Sequence, residues 1–149
     1  MAKLIIGGNS QQQTKKINHL AKQTGIDLKK NNPDLLIIDP EKNIKIDQIR
    51  QIQTFLSKKS WRSNSKKIII MKQANLMTPQ AQNAFLKTLE EPPANSEIIL
   101  TANNKTALID TIISRCHLIN LKTEVNIDTE KVWEKWKKIV KMDKPDRLA

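Results

Sequence analysis

Two glycines, Gly7 and Gly8, close the first apolar run of the chain and precede a polar stretch with helical spacing. A strand that ends in glycine and leads into a helix is where backbone N–H groups can close around a phosphate. A lysine then serves the β- and γ-phosphates, and a Ser or Thr serves magnesium. Starting the G-x-x-x-x-G-K-[ST] spacing at Gly7 puts Gln12 at the second glycine and Gln13 at the lysine, so only Gly7 and Thr14 fit. Starting it at Gly8 puts Gln13 at the glycine, Thr14 at the lysine and Lys15 at the hydroxyl. The acids that would bind magnesium and activate water belong directly after Ile70-Met71, and Lys72 and Gln73 stand there instead. A cation at a metal-ligand position repels the ion that should bind. Two independent parts of nucleotide chemistry are missing, so the expectation is a chain that binds neither ATP nor magnesium and hydrolyses nothing. The loop then reads as an ordinary strand-to-helix turn, with a weak phosphate contact through Thr14, Lys15 or Lys16 as the alternative.

No other reactive constellation replaces it. His19 and His117 are far apart in sequence, the acidic residues are dispersed, and no metal-ligand spacing occurs. Cys116 is the only cysteine, which excludes an internal disulfide and a cysteine zinc cluster; it reads as a small buried hydrophobe.

Short apolar runs alternate with helical stretches, the pattern of an α/β domain with a parallel sheet. Strands are expected around Leu4-Ile5-Ile6, over residues 34–39, at Ile68-Ile69-Ile70-Met71, at Ile98-Ile99-Leu100 and over residues 117–121. Between them, Ile17, Leu20 and Ala21 share one helical face, and Ile46, Ile49, Ile52, Phe55 and Leu56 recur at helical spacing. The best-specified helix has Thr78 as its cap and Pro79 in its first turn. Ala81, Ala84, Phe85 and Leu89 line one side, and Pro92-Pro93 stops it. A short helix is expected over residues 106–113, and an amphipathic one over residues 125–142 carrying Trp133, Trp136 and Ile139. Residues 57–66 read as a polar loop apart from Trp61. The division expected is an α/β domain over residues 1–122 followed by a C-terminal helix and tail over residues 123–149.

A length of 149 residues suits one such domain. No apolar run approaches the roughly 20 residues a membrane helix needs, and the start lacks the features of a signal peptide, so the cytoplasm is the expected compartment. The net charge of +11 points to an acidic partner such as nucleic acid. A competing cause is compositional, because the chain is crowded with Ile, Lys, Asn and Gln and holds only 3 Gly, as a genome poor in G and C would produce. The cations are scattered and aromatics make up only 3%, so the sequence offers no clear stacking platform for single strands.

Read as text, Asn83-Ala84-Phe85-Leu86-Lys87-Thr88-Leu89-Glu90-Glu91-Pro92-Pro93 resembles the NALLKTLEEPP helix of clamp-loader AAA+ subunits. Ile98-Ile99-Leu100-Thr101-Ala102-Asn103 and then Ser114-Arg115-Cys116 follow in that family's order of strand, sensor-1 segment and SRC motif. Upstream, Pro33-Asp34 to Asp39 and Ile44-Lys45-Ile46-Asp47-Gln48-Ile49-Arg50 resemble a stretch of the family's delta-prime branch. The resemblance spans roughly residues 3–121. It implies a P-loop NTPase-like (AAA+) three-layer domain with a five-stranded, mainly parallel sheet flanked by helices.

It further implies a subunit that need not bind ATP and whose SRC arginine, here Arg115, reaches into a neighbour's ATP site. A guanidinium is always charged and forked, so it can offset charge developing on a γ-phosphate. The implied partners are a clamp-loader ATPase of the gamma/tau type and a delta-type subunit. Primer-template DNA and the sliding clamp would be met indirectly. Lys87, Glu90 and Glu91 become interface candidates, since two carboxylates in a helix's last turn oppose its dipole. Thr101 and Asn103 occupy the sensor-1 segment in a structural role. The chain departs from the family in lacking the cysteine cluster that binds zinc in many delta-prime subunits. Past residue 122 it has only the expected helix, where relatives continue through a lid into a collar. Two rival expectations remain: a small basic DNA-binding module that kept the fold without the complex, and a degenerate but active NTPase.

Overall fold

The computed structural model describes residues 2–26, 28, 31–122 and 129–147. Five strands, β1 (Ala2–Gly7), β2 (Leu35–Ile38), β3 (Lys67–Met71), β4 (Ser96–Ala102) and β5 (His117–Leu121), form one sheet in the order β2-β3-β4-β1-β5. Every pairing is parallel. The helices are α1 (Ser10–Gln23), α2 (Ile46–Ser57), α3 (Pro79–Glu90), α4 (Asp110–Ser114) and α5 (Thr129–Arg147), with a 3-10 turn at Ala74–Leu76.

Alternation along the strands builds the layers. Successive side chains of a strand point to opposite faces. Leu4, Ile6, Ile69, Met71, Ile98 and Leu100 therefore fall in one apolar cluster, and Ile5, Ile68, Ile70 and Ile99 in the other. The first cluster is completed by Ile49, Ile52 and Leu56 of α2, Ala81, Phe85 and Leu89 of α3, and Ile112 of α4. The second is closed by Ile17 and Leu20 of α1. With helices on both faces the central strands are buried along their whole length, as β3 and β4 are, and their middles are continuous apolar runs at residues 68–71 and 98–100. The expected three-layer α/β fold is the observed one.

The strongest local signal holds in detail. The Thr78 side chain accepts the Ala81 N–H, and Pro79 takes the first helical turn, where its missing N–H costs nothing. Three expectations are corrected. The second strand is Leu35–Ile38, one residue shorter at each end than residues 34–39; the Asp34 carbonyl still accepts the Ile68 N–H, while its carboxylate accepts the backbone N–H of Trp61 and the hydroxyl of Ser65. The helix expected over residues 106–113 is only the five residues of α4. Its upstream half is instead a turn closed by the Leu108 N–H on the Lys105 carbonyl, and Gln82 fixes it by donating to the Ala107 carbonyl at 2.9 Å and accepting the Ile109 N–H at 2.9 Å. The final helix is α5, and residues 125–128 of its expected span lie outside the described residues. Val132, Trp133, Trp136 and Ile139 of α5 are each more than half exposed, so its apolar face is not buried in the chain. Among the described residues no helix is long and apolar enough to cross a membrane.

Candidate functional site

The carboxyl ends of the strands form one edge of the sheet, and the loop expected to hold phosphate lies there. Gly7 and Gly8 have φ of +81° and +71°, a region L side chains rarely adopt. A Cβ on Gly7 would stand 2.8 Å from the Leu121 carbonyl oxygen, and one on Gly8 3.0 Å from Gln12 Oε1. Both glycines are thus required by the turn and by β5, with no ligand invoked. Asn9 caps α1 by accepting the Gln12 N–H at 2.9 Å, and Gln12 Oε1 accepts the Asn9 N–H at 2.9 Å. This reciprocal box satisfies two helix-end donors of the kind a phosphate loop would turn toward its ligand. Gln13 Nε2 donates to the Gly7 carbonyl at 3.0 Å and is 3.5 Å from that of Ala102, joining the ends of β1 and β4. The Thr14 hydroxyl turns back to the Ser10 carbonyl at 2.8 Å. The five loop residues singled out by spacing are therefore together, and their polar groups are spent on their own backbone.

The metal-ligand positions are equally closed. Lys72 pairs with Asp39 at 3.1 Å across the ends of β3 and β2. Gln73 adopts a left-handed conformation with φ of 52°, and its N–H is accepted by the buried Thr101 hydroxyl at 3.1 Å. The Asn103 N–H is 3.4 Å from the side-chain oxygen of Asn75. The sensor-1 pair thus braces the segment after β3. Among the described residues no group of His, Cys, Asp and Glu could hold a metal ion. His19 contacts Gln23 at 3.3 Å on the exposed side of α1, and His117 is exposed at the start of β5.

Arg115 lies at the other edge. It immediately precedes Cys116 and β5, where His117 pairs with Lys3, whereas Leu121 pairs with Gly7. Four residues of strand separate those two levels, roughly 13 Å at about 3.3 Å per residue. Its guanidinium ion-pairs with Glu90 at 2.8 Å and donates to the Thr111 carbonyl at 3.1 Å. Glu90 ends α3, so this contact balances a carboxylate placed against the helix dipole. The structure therefore brings together two residues the sequence singled out separately. Glu91 caps the same helix and is exposed, as is Lys87 one turn earlier.

The Ser114 hydroxyl is bound to the Thr111 carbonyl at 3.0 Å. Cys116 packs against the main core, and burial raises its thiol pKa from 9.0 to about 11, so it is a neutral packing group at physiological pH. Gln82 escaped notice in the sequence because an amide inside a helix carries no motif. It is 4% exposed and fixes the approach to α4, and so the base from which Arg115 projects.

Comparison with known proteins adds a family. The sequence profile of the family described as "DNA polymerase III, delta subunit" matches residues 1–125. The chain is 34% identical over 109 residues to the DNA polymerase III subunit delta' of Haemophilus influenzae, covering 72% of this chain and 32% of that protein. It is 40% identical over 90 residues to the Bacillus subtilis subunit delta', covering 60% of this chain and 27% of the relative. The chain thus spans about a third or less of the length of these curated relatives. Among solved structures it is similar to a DNA polymerase III gamma subunit-related protein of Thermotoga maritima, with a TM-score of 0.73 at 32% identity, covering 84% of this chain and 42% of that one. It shares the fold of the Thermotoga maritima RuvB branch migration motor, with a TM-score of 0.58 at 10% identity, covering 80% of this chain and 37% of that one.

Proposed function

The chain belongs to the DNA polymerase III delta-subunit family, and from that premise we propose that it is a delta-prime-like clamp-loader subunit in DNA replication. In this reading it hydrolyses no ATP itself and lends Arg115 to the ATP site of a neighbouring subunit. The observation that carries the reading is the placement of Arg115. It stands at the edge of the sheet opposite its own loop, roughly 13 Å away along β5 by strand rise, where a guanidinium cannot serve a nucleotide held by Gly7 and Gly8. An arginine so placed is useful to a site on another chain.

The closed loop supports the other half. The side chains of Gln12, Gln13 and Thr14 are committed to backbone partners, and Lys72 stands where magnesium would need an acid. Binding nucleotide in cis would require breaking these contacts and bringing a divalent ion up to a cation. The ion pair with Glu90 keeps Arg115 in place between encounters. Half-exposed pairs of this kind contribute about 0–1 kcal/mol, so exchanging Glu90 for a γ-phosphate oxygen costs little. Lys87, Glu90 and Glu91 would then face the partner. In this reading the α/β domain covers residues 1–122, and residues 123–149 form a C-terminal helix and tail, the remnant or the start of a lid. The partners are a gamma/tau-type ATPase and a delta-type subunit, with the sliding clamp and primer-template DNA acted on through them.

The test mixes the chain with the clamp-loader ATPase subunit of the same genome and follows both association and DNA-stimulated ATP turnover. Wild type should associate and stimulate. Arg115→Ala should associate and lose about tenfold or more in turnover, a threshold set below the roughly thousandfold and larger effects of arginine fingers. Arg115→Lys should lose nearly as much, because a point charge lacks the fork. Stimulation unchanged in both variants would refute the assignment, and tight ATP binding by the isolated chain in a calorimeter would refute the closed loop.

A further inference from the structure

A cleft of about 640 Å³ opens between the loop after α2 and the turn before β4, lined among others by Lys58, Lys59, Trp61, Arg62 and Asn95. It sits at the amino ends of β3 and β4, away from the closed phosphate loop and not including Arg115. No carboxylate lines it, and among the described residues Lys58, Lys59 and Arg62 have no ion-pair partner. Trp61, in the middle of these cations, is 79% exposed, the most exposed large apolar side chain described.

Exposure of a tryptophan in a loose loop would mean little, but this loop is tied at both ends. The Trp61 N–H donates to both oxygens of the Asp34 carboxylate, at 3.0 and 3.2 Å, and the Ser65 hydroxyl donates to the same group at 2.5 Å. Asp34 is only 4% exposed, so its charge is spent inward on the loop and is not turned toward the cleft. The Lys67 ammonium, also buried, donates to the carbonyls of Phe55 and Lys58 at the end of α2 and lies over the Phe55 ring. A tight turn closes between Arg62 and Ser65. The backbone that carries Trp61 is therefore pinned while its ring stands free in a ring of unpaired cations.

A rigid exposed aromatic beside unpaired cations is what a single-stranded nucleic acid needs: a face on which a base can stack and charges along which phosphates can run. Paired bases in a duplex would leave the indole unused, and an acidic peptide would use the cations alone. We propose that the cleft is a contact site for single-stranded nucleic acid. Trp61 stacks a base, and Lys58, Lys59 and Arg62 neutralise the flanking phosphates.

The experiment measures fluorescence anisotropy of an oligothymidylate of about 16 nucleotides, within the site sizes of single-strand binding folds, against the whole chain over a series of salt concentrations. Trp61→Ala should weaken binding by about tenfold, as loss of one stacked base does, with an unchanged melting curve because the ring is already exposed. Lys58→Gln, Lys59→Gln and Arg62→Gln combined should weaken it further and flatten the salt slope by about two, at roughly 0.7 per single-strand phosphate. Lys15→Gln, Lys16→Gln and Lys22→Gln on α1 remove the same charge elsewhere and should change affinity by less than about threefold. Equal losses from the two triple variants, or an affinity indifferent to Trp61, would overturn the site and leave only diffuse charge. Polyglutamate binding the cleft as tightly as the oligonucleotide would overturn it in favour of an acidic protein.

Discussion

The two edges of the sheet use polar residues in opposite ways. At the carboxyl edge, the side chains of Gln12, Gln13, Thr14 and Thr101 close hydrogen bonds onto nearby backbone, and Lys72 pairs with Asp39. At the amino edge, Arg115 is held by an ion pair with a half-exposed Glu90 and a hydrogen bond to the Thr111 carbonyl, and Lys58, Lys59 and Arg62 line one cleft with an exposed Trp61. A typical intramolecular hydrogen bond contributes about 0.5–1.5 kcal/mol net, and an exposed ion pair about 0–1 kcal/mol. The first edge spends most of its polar groups on internal contacts, and the second presents charges and an aromatic ring to solvent. The lesson, under the proposed function, is that a fold fills its usual site with its own side chains and works through charges at the other end.

The contrast can be pressed at residues of graded effect. Cys116 gives the largest. Beside exposed Arg115 it should behave as part of the core, with a thiol at about 11 against 9.0, which leaves roughly a hundredfold less thiolate at pH 8. Alkylation by iodoacetamide at that pH should be slower than in denaturant by about that factor and rise with pH toward 11. Because the folded thiol keeps its proton longer, this stabilisation is complete below about pH 9 and is lost as pH rises through about 11. Reaction at the denatured rate would mean that the amino edge is loosely packed beneath Arg115.

Gln82→Ala comes next. It strips partners from the Ala107 carbonyl and the Ile109 N–H, and should destabilise the chain by about 1–3 kcal/mol in a urea melt. In the assembly it should also lower stimulation of the partner, since it frees the segment from which Arg115 projects. Glu90→Gln is the smallest. Stability should change by less than about 1 kcal/mol, and partner turnover should fall far less than with Arg115→Ala. A loss as large as that of Arg115→Ala would make the pair with Glu90 part of the working state, not its resting partner.

Much of the fold was legible because the signals were local. Continuous apolar runs marked β3 and β4, and Thr78-Pro79 with Pro92-Pro93 bracketed α3. The start of α4 was not legible, since its limit is set by Gln82 from another helix. The loss of the phosphate-loop pattern at Gln12 and Gln13 could be read directly, but the contacts those amides make to Asn9, Gly7 and Ala102 depend on β1, α1 and β4 meeting. The Arg115–Glu90 pair joins residues that are distant in sequence and adjacent only once α3 and α4 pack. The cleft at Trp61 was hidden in a stretch that reads as a polar loop. The clustering of Lys58, Lys59, Arg62, Lys66 and Lys67 around a tryptophan was its one available signal.

The most direct measurement sets the two edges against each other in one assembly with the partner ATPase, comparing DNA-stimulated turnover for wild type, Arg115→Ala and Gln13→Ala. Turnover should fall by about tenfold or more with the arginine variant and stay within about twofold of wild type with the glutamine variant. Loss of turnover on changing Gln13, or none on changing Arg115, would place the working chemistry at the edge that this account holds closed.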